Sequence, residues 1–347
     1  MKESVLTDAE KDSIEITKLI FHIIIEDRFD PIYLDELEIT SEQKNFFKHR
    51  LIDASEGNQF VFKDKELSNV YNSCKEIIEN PEELFVRKSK KLAFDFKSHH
   101  KKTTSDGVFL VSIVRLLNDK ELIFLLKIDN KKVYQYIVKE GNKINKATMK
   151  EITDTFVEDK KSIQKVAIID INNNYKWDVL ARERNSESIR QYFMDFLQVQ
   201  QRETNFDLTK KVVQSTRMWA QLNASTLPDD VSEYKTRALN YINTHTTFNT
   251  ENFVESVIYE FDFKQREQYQ QLLSDHLAED GIAGQVFTIK PKAVSSKVTK
   301  NIRKTEEGVT IEWEGTATDK YIDIPTQKNA DGFYHIKIKT KNIGILS

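Results

Sequence analysis

The stretch GVFLVSIVRLLNDKELIFLLKIDNKKVYQYI, Gly107 to Ile137, decides how the chain is read. Val108 to Leu117 is a largely apolar run, and Glu121 to Lys127 is a second. Between them stands Asn118-Asp119-Lys120, whose short polar side chains bond their own backbone and tolerate left-handed geometry. Asp129-Asn130-Lys131 makes a further turn, and Val133 to Ile137 is a third strand with aromatic and β-branched content. The expectation is a three-stranded meander at the centre of a mixed sheet. It carries no chemistry, so it sets the fold and leaves function to the flanks.

Working outward, Ile14-Glu15-Ile16 and Leu19 to Ile25 read as an opening strand, and Leu34 to Phe47 as partly helical. Leu67, Val70, Cys74, Ile77 and Ile78 have the spacing of an amphipathic helix that Asn80-Pro81 would end. Cys74 falls on its buried face. Ala147 to Phe156 is expected to be helical, and Val166 to Ile171 a buried strand. The second half changes period. Ile189, Tyr192, Phe193, Phe196 and Leu197 form a clean helical stripe. Leu208 to Leu222 gives a second helix, Pro228-Asp229-Asp230 marks a break and an N-cap for a third, and Phe253 to Ile258 and Tyr269 to His276 supply two more. Short β-like runs return after Gln285. The class is α+β: an N-terminal mixed, mainly antiparallel sheet with flanking helices, a central helical region and a small β-rich C-terminal region. The expected domains are 1–182, 183–280 and 281–347.

The 347 residues suffice for a sizeable core, and 39% hydrophobic with 31% charged side chains is an ordinary soluble composition. A single cysteine allows no internal disulfide and fits a reducing compartment. Glu3, Asp8, Glu10 and Asp12 stand where a signal peptide needs a basic start and an apolar centre. No apolar stretch is long enough to span a bilayer, so a cytoplasmic location is expected. The net charge of −3 divides unevenly, −8 over residues 1–42 and +5 over the remainder. That asymmetry points to a polyanion or an acidic partner.

The motifs of common chemistries are missing. Nine scattered glycines leave no phosphate-cradling loop, and one cysteine leaves no CxxC zinc cluster. Asp170-Ile171-Asn172-Asn173-Asn174 begins like a calcium loop, but Tyr175 replaces the glycine and Ala181 the bidentate glutamate. A polar turn is the expectation. Asp95–Lys97 and Asp262–Lys264 each match the D-x-K half of a metal-dependent nuclease site, which needs a strand and a further carboxylate. Aromatic–charged alternation on a half-exposed strand is the preferred account of both.

Basic clusters are the stronger signal. Arg87, Lys88, Lys90, Lys91, Lys97, Lys101 and Lys102 oppose one acid, Asp95. Lys290, Lys292, Lys297, Lys300, Arg303 and Lys304 lie in a run, Gln285 to Lys304, that holds no acidic residue. Lys337, Lys339 and Lys341 alternate with Ile338 and Thr340. On a strand the three would share one face at roughly 6.5–7 Å spacing, comparable with phosphates along a DNA strand. Neutralising phosphates releases counterions and gives affinity without reading sequence. The site expected from charge comprises Arg87, Lys88, Lys90, Lys91, Lys101, Lys102, Lys297, Lys300, Arg303, Lys304, Lys337, Lys339 and Lys341. The bland alternative is that these lysines solvate loops and strand edges.

Ser188-Ile189-Arg190-Gln191-Tyr192-Phe193-Met194-Asp195-Phe196-Leu197, then Glu203-Thr204 and Leu208-Thr209-Lys210-Lys211, resembles the bacterial nucleoid-associated NdpA-like family. Lys18-Leu19-Ile20-Phe21-His22 is similar to that family's first strand, and the likeness covers most of 14–280. Where the family places Gly-Cys after Phe-Leu, this chain has Gln198-Val199. The resemblance implies a non-enzymatic, nucleoid-associated DNA-binding protein without a cofactor, acting as a homodimer on double-stranded DNA. Two other readings stand beside it: a metal-dependent nuclease of a DNA-targeting defence system, and a scaffold whose acidic N-terminus engages a protein partner.

Overall fold

A computed structural model of the chain describes residues 2–36, 39–99, 105–129, 131–139, 146–155, 162–259, 262–294, 300–314, 321–325 and 328–341. The first elements are α1 (Asp8–Asp12), β1 (Glu15–Ile24), α2 (Ser41–Asp53), β2 (Asn58–Phe62), α3 (Asn69–Glu79) and α4 (Pro81–Ser98). They are followed by β3 (Gly107–Arg115), β4 (Glu121–Asp129), β5 (Lys131–Lys139), β6 (Lys146–Thr155), β7 (Ile163–Ile169), β8 (Val179–Glu183), α5 (Gln191–Leu197) and β9 (Val199–Gln201). Seven of the strands form one antiparallel sheet in the order β1-β3-β4-β7-β8-β2-β9.

The hairpin β3–β4 is the axis of this sheet. Asn118 and Asp119 both take positive φ, 60° and 54°, and reverse the chain so that Gly107 to Arg115 pairs with Asp129 to Glu121. Asn and Asp accept that left-handed geometry at lower cost than other non-glycine residues. All three runs of the opening stretch are strands, as expected, but the third leaves the sheet. The second edge of β4 is taken by β7, and β5 pairs with β6 in a separate two-stranded ribbon. The sequences explain the choice. A strand next to β4 must be apolar on both faces, as Val166-Ala167-Ile168-Ile169 is, whereas Lys131, Lys132, Gln135 and Lys139 suit a ribbon. The helix expected over Ala147 to Phe156 is therefore corrected to strand β6. Thr148, Ile152, Thr153 and Thr155 favour extended backbone, and β5 supplies a pairing partner.

Both faces of the sheet are covered. One carries Phe109, Val111, Ile123 and Leu125 against Cys74 and Ile77 of α3, Leu92 and Phe96 of α4, and Phe193 and Phe196 of α5. The other carries Leu110, Phe124, Leu126 and Ile168 against Phe47 and Leu51 of α2 and against Trp177. Burying each such side chain contributes ~1.5–3 kcal/mol. Asn80-Pro81 ends α3 as expected, and Pro81 immediately opens α4, where its missing N–H costs nothing. Burial pushes the Cys74 thiol far above its ordinary range, so it behaves as a core residue.

The chain divides into two compact units, 1–204 with 278–287, and 205–277 with 288–347. In the first, the late segment completes the end of β2. The Asn58 side chain donates to the Val286 carbonyl at 2.7 Å and accepts from its N–H at 2.8 Å. Gln59 Nε2 donates to the carbonyls of Ser4 and Gly281. Gly281 has φ 73°, and a Cβ there would sit 3.2 Å from Cβ of Ser4. Asn58→Ala removes three part-buried hydrogen bonds, the third donated to the Glu187 carbonyl at 3.0 Å, and leaves the Val286 N–H and both carbonyls short of one. The expected loss is ~2–3 kcal/mol in urea unfolding of the full chain.

One row of this sheet is polar within the core. His22, Phe109, Lys127, Lys165 and Glu183 stand opposite one another in succession on β1, β3, β4, β7 and β8. Lys127 and Lys165 are both almost fully buried. Lys165 is answered by Glu183 at 2.5 Å and lies 4.7 Å from the Tyr192 ring centre. Lys127 is served less well, by Asp129 at 3.3 Å and the Ile128 carbonyl at 3.5 Å. Its ammonium needs Gly107, because a Cβ there would lie 2.4 Å from Nζ. Desolvation lowers the Lys127 pKa from its ordinary 10.5 to about 8, and lowers that of Lys165 as well. The unfolded chain therefore holds a proton between pH 8 and 10.5 that the native chain has released. Stability from Lys127 is lowest below pH 8 and rises through that window. Lys127→Met leaves Asp129 with Ser105 and Arg184. Thermal melts should show the variant ~1–3 kcal/mol more stable at pH 7, with a shallower rise toward pH 10.

The second unit begins with α6 (Asn205–Leu222), α7 (Val231–Thr244), the short β10 (Thr247–Phe248), α8 (Thr250–Val257) and α9 (Phe263–Glu279). Leu208, Val212, Trp219 and Ala220 make the buried face of α6, and Trp219 meets Tyr234 of α7 edge-on at 5.4 Å. Of the expected Pro228-Asp229-Asp230 break, Asp230 is the residue that caps α7, accepting from Ser232 N–H at 2.8 Å. The remaining strands are short: β11 (Phe287–Thr288), β12 (Lys300–Lys304), β13 (Thr310–Glu314), β14 (Ile322–Asp323) and β15 (Lys337–Ile338). A sheet with flanking helices, a helical region and small late strands is the α+β class expected.

Candidate nucleic-acid interface

The first basic cluster lies on α4. Phe85, Ser89, Leu92, Ala93 and Phe96 turn one side of this helix into the core, which leaves Arg87 and Lys91, one turn apart, exposed on the other. Their neighbours are occupied. Lys88 is paired with Glu76 of α3, and Lys90 donates to Asp35 at 2.8 Å. The Lys88 hydrogen bond holds the Glu76 carboxyl below its usual range, helped by Arg87 and Lys91. Lys90 does the same for Asp35. Such exposed pairs contribute little to stability and yield to a stronger anion. Lys101 and Lys102 lie outside the described residues.

Lys300, Arg303 and Lys304 of the second cluster are on β12, while Lys297 lies outside the described residues. The local sequence is free of acid, but the hairpin is not. Register sets Lys300 opposite Glu314, and Ile302 opposite Glu312. Lys304, opposite Thr310, is exposed. In the third cluster Lys337, Lys339 and Lys341 are all exposed, but the strand covers only Lys337 and Ile338, with Lys337 opposite Asp323. The expectation that one continuous strand aligns all three cations is corrected. Lys339 N–H still donates to the Tyr321 carbonyl at 2.6 Å, in the same register one position past the last ladder pair, and Lys341 lies beyond it.

The structure also gathers cations that lie far apart in the sequence. Lys290 N–H donates to Thr209 Oγ1 at 3.0 Å, which pins the 3-10 turn Pro291–Ala293 beside the first turns of α6. Lys290 and Lys292, flanking Pro291, are exposed, and so is Lys210. About eighty positions separate the two segments, so no local count of charge joins them.

The nuclease-like and calcium-like motifs have other uses. Asp95 and Lys97 are on a helix, where Lys97 Nζ donates to the carbonyls of Ile25 and Glu26 at 2.7 and 3.0 Å. Asp262 accepts from Gln265 N–H at 2.8 Å at the start of α9. Neither D-x-K stands on a strand, so the strand-borne geometry that chemistry needs is not formed by either. Asp170 turns its carboxylate on its own loop, accepting from Asn172 N, Asn174 Nδ2 and Tyr175 N. It is a polar turn. Part of the acidic N-terminal segment is engaged at home: Glu3 and Glu10 pair with Lys120, Glu36 with Lys18, and Asp35 with Lys90.

Comparison with protein-family models gives one decisive result. The model described as nucleoid-associated protein YejK matches residues 20–331, nearly the whole chain. The chain belongs to that family. Membership supports a nucleoid-associated role, and it extends the likeness read from Tyr192–Leu197 through the helical region and the late strands. No curated protein matches the sequence. Among the described residues no helix is long and apolar enough to cross a membrane. The family's expected glycine after Phe-Leu also finds its reason here. Gln198 caps α5 with φ 58°, a left-handed position that glycine fills without strain. Gln198 offsets that cost through its side chain, whose Oε1 accepts from Asn69 N–H at 2.7 Å.

Proposed function

We propose that the protein binds double-stranded DNA in the nucleoid of the cytoplasm, holding the phosphate backbone through lysine-rich surfaces with little dependence on sequence. Family membership across 20–331 supports an association with DNA. The observation that carries the mode of binding is the state of the cations. In the sheet unit Lys18, Lys88, Lys90, Lys120 and Lys165 are answered by carboxylates. Arg87, Lys91, Lys304, Lys337, Lys339 and Lys341 are exposed and have no ion pair among the described residues. Exposed, uncommitted cations are those whose contact with phosphate releases counterions without breaking an internal pair. The reading includes a homodimer, which doubles the cationic surface presented to one duplex.

Fluorescence anisotropy with labelled duplexes tests this directly. Log affinity should fall linearly with log salt, and duplexes of arbitrary, unselected sequence should differ little. Reversing Lys304, Lys337, Lys339 and Lys341 to glutamate is expected to weaken binding at least tenfold and to reduce the salt slope by about 0.9 for each phosphate no longer neutralised. Unchanged affinity in that variant would remove the C-terminal cations from the interface. Sedimentation at several concentrations checks the dimer.

A further inference from the structure

We infer that α6 is a groove-reading helix, presenting to the major groove of double-stranded DNA a face that no other described residue covers. This rests on the DNA-binding reading above and adds a base-contacting element to it. α6 has 18 residues, about 27 Å of helix, and its two sides are cleanly divided. Leu208, Thr209, Val212, Val213, Ser215, Thr216, Trp219 and Ala220 are buried. Opposite them Lys210, Gln214, Arg217 and Gln221 recur at i, i+4, i+7 and i+11, all exposed. None of these four side chains has a hydrogen-bond or ion-pair partner among the described residues.

Three features separate this face from an ordinary solvated one. A solvated helix face usually mixes both signs of charge, yet the only acid of α6 is Asp207 in its first turn, and Leu208 to Pro228 contains none. Met218 and Leu222 stand beside Arg217 and Gln221 and are 56% and 72% exposed, an apolar area that water alone does not favour. Further exposed cations stand near the N-terminal turns of α6, where the hydrogen bond from Lys290 N–H to the buried Thr209 holds the turn bearing Lys290 and Lys292.

The chemistry of the face matches one occupant. An α-helix fits the major groove, where arginine pairs bidentately with guanine, glutamine with adenine, and an apolar side chain meets the thymine methyl. Arg217, Gln214 and Gln221, and Met218 and Leu222 supply those three kinds of contact. Lys210, Lys290 and Lys292 are placed to take phosphates at one end, fixing register rather than reading bases. Charge complementarity thus selects a polyanion with a groove over a protein partner.

The test uses the full chain. Bound duplexes are selected from a random-sequence library, and anisotropy then compares the enriched duplex with a scrambled one at two salt concentrations. The parent should prefer the enriched duplex by tenfold or more. Gln214→Ala combined with Arg217→Ala should bring that preference near one while the salt slope persists, since each good base contact is worth roughly 5- to 150-fold in discrimination. Lys210→Gln with Lys290→Gln and Lys292→Gln should weaken both duplexes equally and flatten the slope. Circular dichroism verifies that each variant is folded. A parent that binds in a salt-dependent way without any preference would overturn the groove-reading assignment and leave the backbone reading intact. So would a double variant that keeps the parent's preference, or one that loses only self-association in sedimentation. A parent that binds no duplex at low salt would overturn both.

Discussion

The β3–β4 hairpin is the constraint on which the sheet unit rests. Two residues with left-handed backbone, Asn118 and Asp119, fix a register that runs from Arg115↔Glu121 to Gly107↔Asp129. β1 pairs along the far edge of β3, and β7 along the far edge of β4, so every other strand is placed by reference to that register. A slip of one residue would turn Phe109, Val111 and Leu125 from one core layer to the other, and would separate Lys127 from the space left by Gly107.

Much of this was legible in the sequence, because the signals were local. Turn chemistry at Asn118-Asp119, the proline break at Pro81, the Asp230 cap and the apolar stripe through Tyr192–Leu197 each act within a few residues. What was not legible is pairing. The third run of the opening stretch is a strand by composition, but whether it joins β4 depends on competition from Val166–Ile169, more than thirty positions later. The Ala147–Phe156 segment was misread for the same cause, since its strand state depends on a partner in β5. The candidate site was legible as charge and illegible as geometry. Acid-free Gln285–Lys304 is set opposite Glu312 and Glu314 only once β12 and β13 pair, and Lys290 is brought to the first turns of α6 only through Thr209.

The polar row through Lys127 and Lys165 shows how two like charges can lie side by side within a core. Directly opposed cations repel, and burial strengthens that repulsion. Here Glu183 answers one ammonium closely, aromatic rings of α5 face it, and Asp129 together with a missing side chain at Gly107 accommodates the other. Glu183 also accepts the N–H of Arg190, which enters α5. The placement of α5 over the sheet is thus partly electrostatic, and the family's most recognisable stretch of sequence is held from below by a charge it does not contain.

The pairing of Asn58 and Gln59 with Gly281 and Val286 has a consequence for the order in which the protein is made. These residues are separated by more than two hundred positions. A ribosome adding about 5–20 residues per second would deliver the partners of β2 roughly 11–46 s after β2 itself. Throughout that interval the whole of α6 to α9 emerges while two side-chain amides meant for the core remain hydrated. The sheet is therefore sealed last by a piece of chain translated after the helices, and completion of the N-terminal fold waits on synthesis of the C-terminal part.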